Sequence, residues 1–133
     1  LPLAVLSIDA LNIKVPVYNG ASDLNLNRGV ARIRGTARIG EPSNLGIAGH
    51  RDGFFRGLQD IALGDEIALD TLNGQISYRV TAIQIVQPED VHVLQPTDSS
   101  TLTLVTCYPF YFVGSAPQRY IVSAQAEPVQ VRS

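Results

Sequence analysis

The sequence predicts an all-β fold, and three observations carry the prediction. Runs of alternating apolar and polar residues at 13–17, 66–70, 75–86 and 101–106 have the two-residue period of strands. Gly 11 and Pro 8 among 133 residues break the chain into many turns and short elements. Apolar residues at 45% and charged ones at 17% suffice for one continuous core on which such strands can pack. There are no internal repeats and no linker, which makes residues 1–133 one domain.

Composition also excludes functions. A formal net charge of -2 offers no electrostatic case for nucleic acid or for an anionic membrane surface. One cysteine excludes an internal disulfide framework and a structural Cys-zinc site. No apolar run reaches the ~18 residues of a transmembrane helix. The chain opens at Leu1 with neither Met nor a signal peptide, as expected of a processed piece of a longer protein.

In chain order, Leu3–Ile8 reads as a short buried strand and Ile13–Tyr18 as a second, with Pro16 marking an edge or a bulge. Asn19-Gly20 is a turn. Residues 22–30 carry an N-cap candidate in Ser22 or Asp23 and a stop at Gly29, hence one short helical segment. Arg32, Arg34 and Arg38 then cluster around Gly35 and Gly40, a pattern typical of a solvated loop. Leu45–His50 is a short strand whose Gly46, Ala48 and His50 share a face. Asp52 is positioned to cap the turn that follows, in which Phe54, Phe55 and Leu58 are expected on a common helical face as core anchors.

Ile67–Asp70 and the long run from Gln75 form a hairpin about Leu72-Asn73-Gly74. Ile76, Tyr78, Val80 and Ala82 make one apolar face, but from Ile83 the phase reverses. A period-2 pattern cannot change face without an extra residue, so a bulge is expected near 82–83. Pro88-Glu89-Asp90 opens a helical turn containing His92, a surface histidine, and Pro96 closes it. Thr101–Thr106 is the next strand, and Arg119–Gln125 the last. Between them lies an aromatic loop, 108–118, with Tyr108, Phe110, Tyr111 and Phe112. Four large apolar rings in a loop need cover, which means packing on the barrel or walling a groove.

Three side chains stand out. Cys107, the sole cysteine, ends the Thr101–Thr106 strand, His50 ends another, and Arg119 opens the last. A lone buried thiol is usually inert. A thiol nucleophile, however, requires a proton acceptor and a group to hold charge on the attacked carbonyl, and these residues supply both. If the last two strands are antiparallel neighbours, Cys107 and Arg119 lie at one end of the sheet.

The stretches Leu45-Gly-Ile-Ala-Gly-His50-Arg51, Thr101-Leu-Thr-Leu-Val-Thr-Cys107 and Arg119-Tyr-Ile-Val122 resemble the signature segments of sortases, as does Arg28-Gly-Val…Gly35-Thr36 upstream. The likeness runs in order from about Ile8 to Ala124, and the segments around His50 and Cys107 are most similar to class D or proteobacterial members. It implies a closed eight-stranded β-barrel with short helices and 3₁₀ turns in its loops, and cysteine transpeptidase activity. It implies His50, Cys107 and Arg119 as the catalytic set, with Thr106 as a supporting or oxyanion candidate. Ala48, Val105, Tyr108, Phe110, Tyr111 and Phe112 are the candidates for the substrate groove. The implied partners are proteins bearing a C-terminal sorting signal and an amine on peptidoglycan or the envelope, with no nucleic acid. The implied location is extracytoplasmic, a monomeric domain held by an N-terminal membrane anchor outside this sequence. No cofactor is implied, and no metal site can be placed residue by residue. From the residues alone, a cysteine endopeptidase using the same site and a non-catalytic peptide-binding barrel remain open beside the transpeptidase.

Overall fold

The computed structural model describes residues 1–51, 53–108 and 116–128. In chain order its strands are β1 (Ala4–Ile8), β2 (Ile13–Asn19), β3 (Val30–Arg32), β4 (Asn44–Ala48), β5 (Glu66–Thr71), β6 (Gly74–Val86), β7 (Thr101–Tyr108) and β8 (Gln118–Ala126). They close into a barrel in the order β1-β2-β3-β4-β7-β8-β6-β5. One helix, α1 (Asp23–Arg28), joins β2 to β3, and 3₁₀ turns occupy Asp9–Leu11, Arg56–Asp60 and Val91–Leu94. The eight-stranded barrel expected from the sequence is therefore the fold.

Most local expectations hold for the reasons that suggested them. Ser22 caps α1, its hydroxyl accepting the Asn25 N–H at 3.2 Å, and Gly29 ends it. Thr71 and Gly74 pair across a two-residue Leu72-Asn73 turn, where Gly74 takes a φ of 123°. Pro16 lies within β2 yet breaks no ladder, because pairing with β3 begins only at Val17.

Four details differ. The register shift in β6 falls between Val80 and Ala82, one residue earlier than expected. It has the foreseen effect: Ala82 faces Ser123, while Ile83 faces Val122 and packs on the core. Phe55 and Leu58 are fully buried, but Phe54 is 37% exposed. A 3₁₀ turn has three residues per turn, which aligns 55 with 58 and leaves 54 outside. Arg32 is not a solvated loop residue; it is half-buried and holds the β3–β4 connection by bonds to Ala37 O, Thr36 O and Asn19 Oδ1. Finally, β3 itself has no counterpart in the sequence reading, being three residues long.

The core fills the barrel with Leu6, Ile8, Val17, Ile47, Ile67, Leu69, Leu102, Leu104 and Val122, joined by Phe55 and Leu58 from the turn beyond β4. Alternation in β7 puts Leu102, Leu104 and Thr106 on the inner face, and Thr103, Val105 and Cys107 on the outer one.

Candidate active site

Register pairs two of the three singled-out residues and brings the third to the same end of the barrel. Cys107 is the direct partner of Arg119 across the antiparallel β7–β8 pair. Cross-strand partners project from the same face with Cβ atoms about 4.5–5.5 Å apart. On the other side of β7, β4 runs parallel and Ala48 is level with Val105. The Gly49 N–H extends that ladder by one bond, to Val105 O at 3.1 Å. His50 follows Ala48 by two residues, as Cys107 follows Val105, so both lie at the same end of the barrel. The thiol is thus on β7, with Arg119 its partner on β8 and His50 just beyond the end of the neighbouring β4.

Each flank is held by local packing. Arg119 Nη1 donates to Ala116 O at 3.2 Å and Gln118 O at 2.9 Å, which holds the fork, while Nε and Nη2 have no hydrogen-bond acceptor among the described residues. His50 accepts the Gly53 N–H at its carbonyl, 3.2 Å, closing a tight turn. Gly49 lies directly under the Phe55 ring: a Cβ there would stand 2.5 Å from Cδ2 and 2.7 Å from Cγ. Only glycine lets that buried ring press on the backbone next to His50.

The outer face leading to Cys107 is covered at one end and open at the other. Asn44 is buried, donates through Nδ2 to Val93 O at 2.9 Å and Gln95 O at 3.0 Å, and accepts the Thr103 hydroxyl at 2.6 Å. This staples the Val91–Leu94 turn over β4 and β7. Leu94 sits so close that a Cβ on Gly46 would meet its Cδ2 at 2.9 Å. Beyond that cover, Ala48 and Val105 are half-exposed and adjacent, a floor that ends at the thiol. Cys107 itself is half-buried and carries a free thiol.

Behind the site, the inner face is closed by aromatic rings. Tyr108 and Tyr120 stack with centroids 5.9 Å apart and planes at 18°. Tyr108 thus packs on the core, not beside Val105 on the outer face. Burial, together with the neighbouring Tyr108 and the Asp60 carboxylate, raises the Tyr120 phenol above its ordinary pKa. Thr106 is buried on this inner face, and its Oγ1 has no hydrogen-bond partner among the described residues. Its side chain points away from the face that carries Cys107. His92 is exposed. Asp52, Phe110, Tyr111 and Phe112 lie outside the described residues, as does most of the aromatic loop.

Sequence reasoning missed the Asn44–Thr103 staple and the Gly49–Phe55 contact. Three threonines in a strand otherwise built for burial, each needing a hydrogen-bond partner, were the available signal for the first. No spacing rule links residues 59 positions apart.

A closed eight-stranded barrel with a thiol and a guanidinium paired on adjacent strands and a histidine just beyond the third, all at one end, defines a restricted class of protein. The Sortase domain model matches residues 6–127, and the chain belongs to the sortase family. It is 31% identical over 119 residues to Sortase D of Bacillus subtilis, covering 89% of this chain and 60% of that protein. With Sortase A of Staphylococcus aureus it shares 34% identity over 110 residues, 77% of this chain and 53% of that one. The chain thus spans little more than half the length of these relatives. The structure of a Clostridium perfringens Sortase D5 transpeptidase superposes with a TM-score of 0.86 at 30% identity, over 96% of this chain and 79% of that one. A Sortase C1 structure from Streptococcus agalactiae gives 0.90 at 26%, over 97% and 69%. Members of different sortase classes thus share this barrel.

Proposed function

We propose that the chain is the catalytic domain of a cysteine transpeptidase of the cell envelope. Its substrates are proteins with a C-terminal sorting signal resembling Leu-Pro-x-Thr-Gly. The observation that carries this reading is the register of β4, β7 and β8, which pairs Cys107 with Arg119 and brings the end of β4, two residues before His50, level with Val105.

The Cys107 thiolate attacks the threonine carbonyl carbon of the motif. Arg119 donates to the oxyanion or to the motif's backbone. As the Thr–Gly bond breaks, the His50 imidazolium gives its proton to the departing glycine amine, leaving a thioester on Cys107. An amine on peptidoglycan or another envelope component then attacks the thioester and loses its proton to His50. The new amide forms as the C–S bond breaks and the thiolate returns. Ala48 and Val105 line the approach, and Phe110, Tyr111 and Phe112 are assigned to the groove wall on sequence alone. Thr106 contributes through its backbone beside the nucleophile, since its hydroxyl lies on the inner face.

The test is cleavage of a fluorogenic sorting peptide with and without a small amine, with mass analysis of the protein. Wild type is expected to carry a peptide adduct on Cys107 and to form the amide product. Cys107→Ala abolishes both while keeping its thermal midpoint. His50→Ala loses ~10²–10⁴-fold and Arg119→Ala roughly 10²–10³-fold. Hydrolysis that amine never diverts makes the protein an endopeptidase, and binding without cleavage makes it a peptide-binding barrel. Full activity in a folded Cys107→Ala protein overturns the reading.

A further inference from the structure

The barrel end remote from Cys107 holds a cavity of about 640 Å³. It is bounded by the start of β1, the ends of β2 and β3, the β5–β6 turn and residues 38–40. This is the size of an ordinary small-molecule site, and barrel mouths are common places for one.

Its lining divides in two. One side carries Arg32 and Arg38, and no lining residue is acidic. Arg32 is immobilised by bonds to Asn19 Oδ1 at 2.9 Å, Ala37 O at 2.9 Å and Thr36 O at 2.6 Å. All three acceptors are neutral, so its charge has no counter-ion among them, and two of its five N–H donors remain. Arg38 is exposed beside it on the loop. Glu41, on the same loop, accepts the Arg38 backbone N–H at 2.6 Å, and Asp70 accepts from the Gln75 side chain at 2.9 Å; neither forms an ion pair with Arg32 or Arg38 among the described residues. The other side is apolar, from Leu3, Ile39, Leu72 and Ile76. Leu72 stands fully in solvent and Leu3 is 39% exposed.

A rigid, uncompensated guanidinium favours an anion bound through charge-assisted bonds, and uncovered leucines favour an alkyl surface. We infer that this mouth binds an anionic amphiphile: a carboxylate or phosphate held by Arg32 and Arg38, with an alkyl body lying on Leu3, Leu72 and Ile76. The site stands apart from Cys107 and does not depend on the transpeptidase reading.

Decanoate and decyl phosphate, each kept below its micelle concentration, are titrated into the intact protein, with inorganic phosphate and decanol as half-ligands. Amide chemical shifts are followed by ¹⁵N NMR. Both amphiphiles are expected to give saturable shifts at Gly40, Leu72 and Gly74 and none at Cys107, and both half-ligands to bind far more weakly. Decanoate binding more tightly than decyl phosphate identifies a carboxylate, and the reverse a phosphate. Arg38→Ala is expected to weaken binding roughly tenfold. Leu72→Ser weakens the amphiphiles and leaves inorganic phosphate unchanged. Arg32→Lys keeps the charge but loses the fork and is expected to reduce affinity; because the fork also holds the β3–β4 connection, its thermal midpoint is expected to fall as well, and Arg38→Ala, whose side chain is exposed, separates binding from folding. The inference is overturned if inorganic phosphate binds as well as decyl phosphate, which would mean an adventitious ion only. It is equally overturned if decanol matches decanoate, if the shifts do not saturate or centre on Cys107, or if Arg38→Ala binds as wild type.

Discussion

The β4–β7–β8 wall and the β5–β6 hairpin close the same barrel by different means. In β4 and the first four residues of β7, nearly every residue is buried, whichever face it is on. The core covers one face, and the Val91–Leu94 turn, stapled by Asn44, covers much of the other. In β6, by contrast, Tyr78 and Val80 are buried while Arg79 and Thr81 are exposed, and the hairpin ends in a fully exposed Leu72. A strand covered on both faces has little freedom at its end, and that is where the thiol is mounted. Side chains that must meet at bond-forming distance are best carried on such rigid elements. The hairpin, with one face in water, is free to vary.

The largest expected effect tests that contrast directly. Leu104→Ala removes a fully buried side chain from the covered wall and is expected to lower unfolding free energy by about 2–5 kcal/mol. Leu72→Ser, at the hairpin tip, should change it by no more than ~0.5 kcal/mol. Chemical denaturation of the two variants measures both, and equal losses would break the comparison.

Gly49→Ala asks whether the covered wall positions His50. Its Cβ collides with Phe55, a buried ring with little room to retreat. Overpacking of this kind costs about 1–3 kcal/mol. A displacement of about 1 Å next to a reacting group costs roughly 10²-fold in turnover. The double variant Gly49→Ala/Phe55→Leu, which makes room, should recover turnover more than stability. Failure to recover would assign Gly49 a role in folding alone.

Asn44→Ala should release the Val91–Leu94 turn and leave the Thr103 hydroxyl buried without an acceptor. The expected loss is about 1–3 kcal/mol. Hydrogen exchange at residues 91–95 should rise in this variant while exchange in the β5–β6 hairpin stays unchanged.

How much of this was legible in the sequence follows the same division. The hairpin, its turn and the phase change in β6 could be read because one face meets water, and alternation records it. The Cys107–Arg119 pairing was legible as soon as two strand ends flanked one loop. The covered wall was harder. Burial on both faces erases the alternation in β4, so its apolar run shows a strand without showing what lies over it. The parallel β4–β7 pairing, the Asn44–Thr103 bond and the three-residue β3 depend on partners far along the chain. Arg32 looked like solvent charge because its acceptors are two backbone carbonyls and the neutral Asn19 amide, which sequence composition does not reveal.

The smallest effect separates the two walls by titration. Tyr78 on β6 and Tyr120 on β8 both face inward, and burial raises both phenols above 10.0. A phenol whose pKa is higher folded than unfolded favours the fold up to the unfolded value. That contribution is lost as pH rises from about 10 through the folded value. Stability should therefore decline in this alkaline range, and Tyr78→Phe/Tyr120→Phe should flatten the decline. The causes differ, however. Tyr78 is raised by burial alone, whereas Tyr120 is also raised by Tyr108 and, least of the three, by Asp60 in the turn after Phe55. Asp60→Asn removes one negative charge from beside the Tyr120 phenol, so that phenol should titrate at slightly lower pH while Tyr78 does not move. Ring carbon shifts of labelled tyrosine, followed from pH 8 upward, resolve the two. Movement of both would mean that Asp60 acts through the whole barrel; movement of Tyr120 alone ties the turn that follows His50 to the strand that carries Arg119.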